Sequence, residues 1–412
     1  MGGRIARWRM SNVVPPAPAL RRVLSLWQLI FYGLGVIVGA GIYVAIGAVI
    51  ERAGAAAPLS FLLAGSAAAM SGLCYAELAS RFPDASGAVS YVRHGFGSDR
   101  LAVLTGAAVT LAVAVSAASI ARGAVHYLAV LVEAPAQLLI IALVGSFTAI
   151  AAYGVRESVG LAAMLAVIEI AGLLAATAVG LLAAPEFHVS GMVPADLAGW
   201  SGTIAGAFMA FFAFIGFETM ANLAEEVKDP SRTLPRGIIG AVAASIVLYV
   251  AVAMAVVLAD GPTVGSVNGN PLIDLFEGVG ASAFAAIGAL AIANGVLIEI
   301  VMLSRLFYGM ARNGQMPGFL GNVHRRTQTP VAATLAAGAI VLAAALLIPF
   351  EHLLVLTNAV TLAVFATVDV ALWRIQRAEA VRSQRLMVPR WLPPVAAVLS
   401  FALMLTEIIF QF

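Results

Sequence analysis

Apolar residues run along this chain in blocks of about twenty, separated by short polar stretches. That rhythm predicts helices that cross a bilayer, because a crossing helix needs about 20 predominantly apolar residues. Eleven blocks qualify, at residues 27–50, 58–80, 101–131, 136–154, 159–183, 202–223, 237–259, 281–311, 330–349, 352–373 and 391–411. The third and eighth are long enough to be tilted. Two blocks are interrupted. Residues 33–44 read GLGVIVGAGIYV, and residues 211–226 read FFAFIGFETMANLAEE. Each places glycine inside a stretch that could otherwise span, and the two lie about 175 residues apart. Unwound backbone in lipid costs several kcal/mol per unpaired group, so a break persists where it lines a cavity or holds a ligand. Paired breaks in corresponding positions of two halves mark the substrate site of a secondary transporter.

Composition narrows the class. The 412 residues are 62% hydrophobic and 11% charged, against about 25% charged in a soluble domain. The expectation is an all-α integral membrane protein without a long soluble insert. Cys74 is the only cysteine, so no internal disulfide can form. Residues 1–26 are Arg-rich and then Pro-rich, and the first apolar block is too long for a signal-peptide core. They read as a cytoplasmic tail.

Charge placement sets the orientation. With a cytoplasmic N-terminus, 20 of the 23 basic residues fall in cytoplasmic segments. Arg52 lies opposite, and Arg122 and Arg305 fall within spans. Glu51, Glu133, Glu186, Asp196, Asp260, Asp274, Glu277 and Glu351 all lie outside. This satisfies the positive-inside rule. An odd number of spans then places the C-terminus on the extracytoplasmic side. Arginine far outnumbers lysine, and alanine and glycine are abundant. That balance fits a high-GC bacterium, hence a multi-pass protein of the bacterial inner (plasma) membrane.

Three connecting segments carry motifs. They are CYAELASRFPDASGAVSYVRHGFG (residues 74–97), GFETMANLAEEVKDPSRTLPRGI (residues 216–238) and SRLFYGMARNGQMPGFLGNVHRRTQTP (residues 304–330). All three resemble the amino acid–polyamine–organocation transporter family, most closely its cationic-amino-acid-transporter-like branch. The resemblance covers nearly the whole chain. It implies a five-plus-five inverted repeat of the leucine-transporter type, with broken helices 1 and 6. Residues 27–183 would form the first repeat and residues 202–373 the second. Residues 374–412 would add a cytoplasmic loop and a peripheral eleventh helix. The two broken segments, each first in a set of five spans, agree with this. Most similar proteins have twelve or more spans, so dimer contacts made by a twelfth helix do not carry over; monomer or weak dimer is the expectation. In the loops, Glu77, Pro83, Gly87, Pro230 and Pro235 read either as helix-end and turn chemistry or as gating interactions of the inward side.

The resemblance also implies roles at the breaks. Around Val38, Gly39, Ala40, Gly41 and Ile42, a half-helix start would expose N–H groups to a substrate carboxylate. The alternative is close helix packing, since Gly35 and Gly39 form a small-xxx-small pair. Across Phe212, Ala213, Phe214, Ile215 and Gly216, unwound carbonyls would accept bonds from a substrate ammonium. Phe212 matches the gating aromatic of the related arginine/agmatine antiporters; ordinary packing is its alternative. Glu218 follows the break directly and reads as a proton-linked acid or as a cap for the broken helix. Ser116, Ala117 and Ile120 would face the cavity by family position.

Two further acids stand inside spans. Glu169 occupies a position where many similar transporters carry a lysine between spans 1, 5 and 8. Its apolar neighbourhood penalises the ionised form, which suits a proton carrier; coordination of Na+ is the alternative. Glu299 falls where similar proteins line the side-chain pocket, and a carboxylate there favours a cationic side chain or amine. Pairing with Arg122 or Arg305 is the structural alternative for both acids, although Arg305 sits where it can snorkel to the cytoplasmic surface.

There is no metal-ligand spacing, nucleophile elbow or phosphate loop. Gly33 and Gly35 lack the strand–turn–helix setting of a dinucleotide site. An enzyme or a nucleic-acid binder is not expected. The expectation is a permease for amino acids or small organic amines that works by alternating access in the lipid bilayer. It needs no cofactor; H+, or else Na+, is the coupling ion, and cationic or amine-bearing substrates are favoured. An amino acid/amine exchanger and a neutral amino acid permease are the alternatives.

Overall fold

The apolar blocks fall on helical segments, the sixth of them only in part. The computed structural model describes residues 24–83, 87–153, 158–184, 192–224, 227–260, 270–276, 279–312, 316–324, 327, 329–378 and 386–410. The helices are α1 (Leu26–Ala53), α2 (Ala57–Arg81), α3 (Ala88–Phe96), α4 (Asp99–Leu131), α5 (Ala136–Tyr153), α6 (Ser158–Ala183) and α7 (Leu197–Phe211). They continue with α8 (Pro230–Asp260), α9 (Pro271–Asp274), α10 (Val279–Arg312), α11 (Val331–Leu347), α12 (Phe350–Ala378) and α13 (Leu392–Phe410). Eight helical stretches are long and apolar enough to cross a membrane, and Leu26–Val38, Val331–Leu347 and Leu392–Leu405 are shorter apolar ones. Among the described residues, extended pairing is limited to a single bridge between Leu24 and Val227.

Helix starts follow local chemistry. Ser25 and Gln28 form a reciprocal capping box at α1, which satisfies donors that an apolar first turn cannot. Asp196 Oδ1 accepts from the Gly199 amide at 2.8 Å and starts α7, and Ser98 caps α4. Helix α3 was not foreseen from the loop motif. It lies along α12 and α4 and ends on Gly97, whose φ of 64° suits glycine.

The two expected breaks differ. The second is present. Helix α7 ends at Phe211, a 3-10 turn covers Phe212–Phe214, and Ile215 is extended. Gly216 has φ of 126°, where a Cβ is disfavoured, and a second 3-10 segment spans Phe217–Leu223. The first break is absent. Helix α1 runs without interruption from Leu26 to Ala53, which corrects the expectation at Val38–Ile42. Glycine lowers the cost of unwinding but does not enforce it, since each costs only ~1 kcal/mol in a helix. Breaking backbone hydrogen bonds away from water costs more. What the glycine provides is proximity: a Cβ on Gly41 would lie 2.6 Å from the Ala213 carbonyl oxygen. Gly41 thus seats the broken segment against α1.

Helices α1, α2, α6 and α7 pack around α8 and the break, while α4 packs against α10 and α12. Tyr249 on α8 ties the first group together. Its hydroxyl lies 2.8 Å from the Ile37 carbonyl and 3.0 Å from the Ala213 carbonyl, sharing one proton between α1 and the turn.

Candidate functional site

A cavity of about 490 Å³ opens between α2, α3, α4, α10, α12 and the 3-10 segment after the break. Its wall is mostly apolar. Its polar lining comes from Tyr75, Ser116, Glu218, Thr219, Glu299 and Thr361, with Arg93 and Arg305 at the rim. Arg93 and Arg305 are exposed, and Arg93 Nε pairs with Asp99 Oδ1 at 3.0 Å. The mouth thus lies at the arginine-rich end of the bundle.

Glu299 is the central polar group. It sits midway along α10, a helix held against α4, and Ser116 Oγ of α4 donates to its Oε1 at 2.7 Å. Its Oε2 is buried and has no hydrogen-bond partner among the described residues. A buried carboxylate oxygen without a donor costs ~1–3 kcal/mol, so this atom presents a site for a donor to occupy. Glu218 lines the same space from the break. Its Oε2 accepts from the Gly216 amide at 2.9 Å, so it caps the broken helix. Its bond to Gly216 fits the capping alternative, and its side chain also lines the cavity.

Away from the mouth, the described helices pack on aromatic rings. Going from Val36 to Tyr43 on α1, from Ser116 to Tyr127 on α4 and back from Glu299 to Phe284 on α10 leads to an aromatic cluster. Tyr43 meets Tyr127 edge-on at 5.9 Å and Phe284 at 6.0 Å, and Phe284 stacks on Phe276 at 4.7 Å. The Tyr127 hydroxyl donates to the Tyr43 carbonyl at 2.9 Å, and Asn270 Nδ2 reaches the same oxygen at 3.5 Å.

Glu169 lies beneath this cluster and outside the cavity. It is 1% exposed. Asn294 Nδ2 of α10 donates to its Oε1 at 3.4 Å, and the Tyr43 hydroxyl donates to its main-chain carbonyl at 2.9 Å. Its Oε2 has no partner among the described residues. The helices α1, α6 and α10 therefore meet around an acid satisfied on one oxygen only.

Several expected lining residues sit elsewhere. Ile215 and Gly216 line the cavity, but Val38, Ile42, Ala117, Ile120, Phe212, Ala213 and Phe214 are buried in the core away from it. Gly41 is packed on Ala213. The side chain of Ala40 and the environment of Gly39 lie outside the described residues. The cavity follows the arginine-rich half of the bundle. It therefore meets α1 at Val36, two residues before Val38, and α4 at Ala112, Val113 and Ser116, of which Ser116 was expected. The Ala213 carbonyl is already engaged by Tyr249. Among the described residues neither arginine pairs with Glu169 or Glu299: Arg122 donates to the carbonyls of Ala345 and Ile348 at the end of α11 at 3.1 and 2.8 Å, and Arg305 stands at the rim.

Two other acids are buried outside the cavity lining; of these, Glu77 was read from sequence only as helix-end or gating chemistry, and Asp369 was missed. Glu77 is fully buried, paired with Arg81, and accepts from Gln376 Nε2 at 2.9 Å and from the Val388 amide at 2.7 Å. Its spacing to Arg81 was the available signal, because residues four apart share a helix face. Asp369 on α12 is also fully buried. A lone acid in the apolar run of α12 was as visible as Glu169, yet no motif drew attention to it.

With this geometry in view, the comparisons are specific. Residues 24–412 match the family described as amino acid permease, and the chain belongs to that family. It is 32% identical over 384 residues to the vacuolar cationic amino acid transporter 4 of Arabidopsis thaliana, covering 85% of this chain and 62% of that protein. It is 33% identical over 385 residues to the methylthioribose transporter of Bacillus subtilis, covering 86% and 81%. It is 28% identical over 386 residues to the branched-chain amino acid permease of Bacillus subtilis, covering 86% and 80%. The chain spans about three-fifths of the length of the plant relatives, 62% and 58% for two of them. These relatives are transporters and permeases rather than enzymes, and the protein is a multi-pass membrane protein of the same family.

Proposed function

We propose that this protein is a secondary active transporter that carries an amino acid or small organic amine across the bacterial inner membrane by alternating access. A cationic or amine-bearing substrate fits best. The observation that carries this reading is the unpartnered Oε2 of Glu299 in the cavity wall. An ammonium or guanidinium donor would satisfy it with a charge-assisted bond. Glu218 adds a second acid to the same wall.

The proposed architecture is five plus five inverted helices, with residues 27–183 and 202–373 as repeats, α13 peripheral, the N-terminus cytoplasmic and the C-terminus outside. In that orientation the cavity opens inward and the Tyr43 cluster closes the outer side. Helix α1 is continuous, so carboxylate capture by free N–H groups near Gly39–Gly41 is not part of this reading. Glu169 is the proposed proton carrier, because it is buried at the junction of three helices with one oxygen unsatisfied. Na+ at the same acid is the alternative coupling ion.

A neutral amino acid substrate is a second reading, favoured by the mostly apolar cavity wall and by the name of the branched-chain relative. Exchange of amino acid for amine is a third coupling mode. Reconstituted protein separates them. Uptake of arginine, ornithine or putrescine driven by an imposed pH gradient supports the cationic, proton-coupled reading. Uptake of alanine or leucine alone retires it and leaves Glu299 a structural group. Uptake only into liposomes preloaded with substrate identifies an exchanger.

A further inference from the structure

Along α12, buried polar groups recur on one face at Asn358, Thr361, Asp369 and Gln376. Asp369 is the acid among them. Its Oδ2 accepts from Ser71 Oγ of α2 at 2.8 Å, and Ser71 Oγ lies 3.4 Å from Ser400 Oγ of α13. Its Oδ1 has no hydrogen-bond partner among the described residues. Among the described residues no ion pair involves it: the pairs there join other residues. On α2 its titratable neighbours are Cys74 and Tyr75. One turn further, Glu77 is already engaged by Arg81 and Gln376. Beyond Tyr75 lie Tyr91 of α3 and Glu218. Helix α13 presents the uncharged hydroxyl of Ser400.

An ionised carboxylate held only by the Ser71 hydroxyl and the weak thiol donor of Cys74 in a dry helix junction is strongly disfavoured, whereas the neutral acid needs only modest hydrogen bonding. Asp369 is also close to the cavity. The rings of Tyr75 and Phe365, 5.4 Å apart, both line it. Phe365 precedes Asp369 by one turn, and the buried Tyr75 hydroxyl is itself unpartnered among the described residues.

We infer that Asp369, with Ser71 as donor, forms a second proton-binding site behind the Tyr75–Phe365 pair, and that proton occupancy holds α2 and α13 against α12. The neutral acid allows the three helices to close. Loss of the proton leaves a charge that must be hydrated, which opens the junction toward the cavity. The site is distinct from Glu169, which lies among α1, α6 and α10. Only its effect on uptake rests on the transport reading; the protonation itself does not.

The test is infrared difference spectroscopy of the full chain in liposomes, acidic minus alkaline. A buried neutral carboxyl gives a C=O stretching band. Asp369→Asn should abolish one such band, while Glu169→Gln and Glu299→Gln leave it. Ser71→Ala should move that band to higher frequency, because the carbonyl oxygen loses its donor. In transport, Asp369→Asn should flatten the pH profile of substrate exchange, a mode that needs no net proton flux. If Ser71→Ala gives a spectrum identical to the parent, the proposal is overturned, whether or not the Asn variant folds. An unchanged band in a folded Asp369→Asn protein overturns it equally. Loss of the band together with absent uptake of any amine or amino acid would keep the proton site and retire the transport reading.

Discussion

Ser116 Oγ donates to Glu299 Oε1 at 2.7 Å, and this bond joins α4 to α10 at the deepest polar point of the cavity. It fixes one carboxylate oxygen and leaves the other buried without a partner among the described residues. Glu299→Gln should therefore weaken a cationic substrate by ten- to hundredfold, since a hydrogen bond to a charged group contributes ~1.5–3 kcal/mol. Ser116→Ala should cost less, about 1 kcal/mol, because it releases the carboxylate without removing its charge. Competition binding with purified protein measures both; equal affinity in parent and Gln variant would exclude Glu299 from recognition.

Glu169 should separate coupling from binding. In the Gln variant, the amide keeps shape and hydrogen bonding to Asn294 but carries no exchangeable charge. Uptake driven by a pH gradient should vanish, while exchange of internal for external substrate persists. Full gradient-driven uptake by Glu169→Gln would place the coupling proton elsewhere.

Gly41 should not tolerate a branched side chain. A Cβ there would lie 2.6 Å from the Ala213 carbonyl oxygen and 2.9 Å from its Cα, and this backbone cannot step aside without moving the break. Gly41→Val should destabilise by ~1–3 kcal/mol through overpacking, visible as a lower unfolding temperature in detergent. Substitution at Gly145, where a Cβ meets nothing within 4 Å, is the control and should leave that temperature nearly unchanged.

The Glu77 junction should prove a stability element. Glu77 receives Arg81, Gln376 and the Val388 amide in a fully buried setting. Removing one partner of a buried pair costs ~3–5 kcal/mol. Arg81→Ala should therefore lower yield and unfolding temperature sharply. A double change, Arg81→Met with Glu77→Leu, should recover part of the loss because no unpaired charge is left behind. Failure to recover would mean that the Gln376 and Val388 contacts dominate.

Much of the fold was legible because lipid imposes length: an apolar block long enough to span leaves few alternatives to a helix. The break at Gly216 was legible too, since Glu218, a residue no uninterrupted span would favour, follows two positions later. The α1 glycines were ambiguous. Gly41 permits both unwinding and close contact, and only the position of Ala213 decides between them. The cavity was misplaced along α1 and α4 because its level is set by how the helices cross, which no single span encodes. Asp369 went unnoticed for a related reason. Its meaning comes from Ser71, some three hundred residues away in sequence, rather than from its neighbours on α12.

The small bridge between Leu24 and Val227, reinforced by the Lys228 amide donating to the Leu24 carbonyl at 2.9 Å, has a mechanical consequence. It fastens the entrance of α1 to the far end of the interrupted segment. Any swing about Gly216 is therefore transmitted as a pull on the root of α1, so the two act as one lever with a shared handle at the membrane surface. A probe attached beside Leu24 would register that swing without touching the substrate.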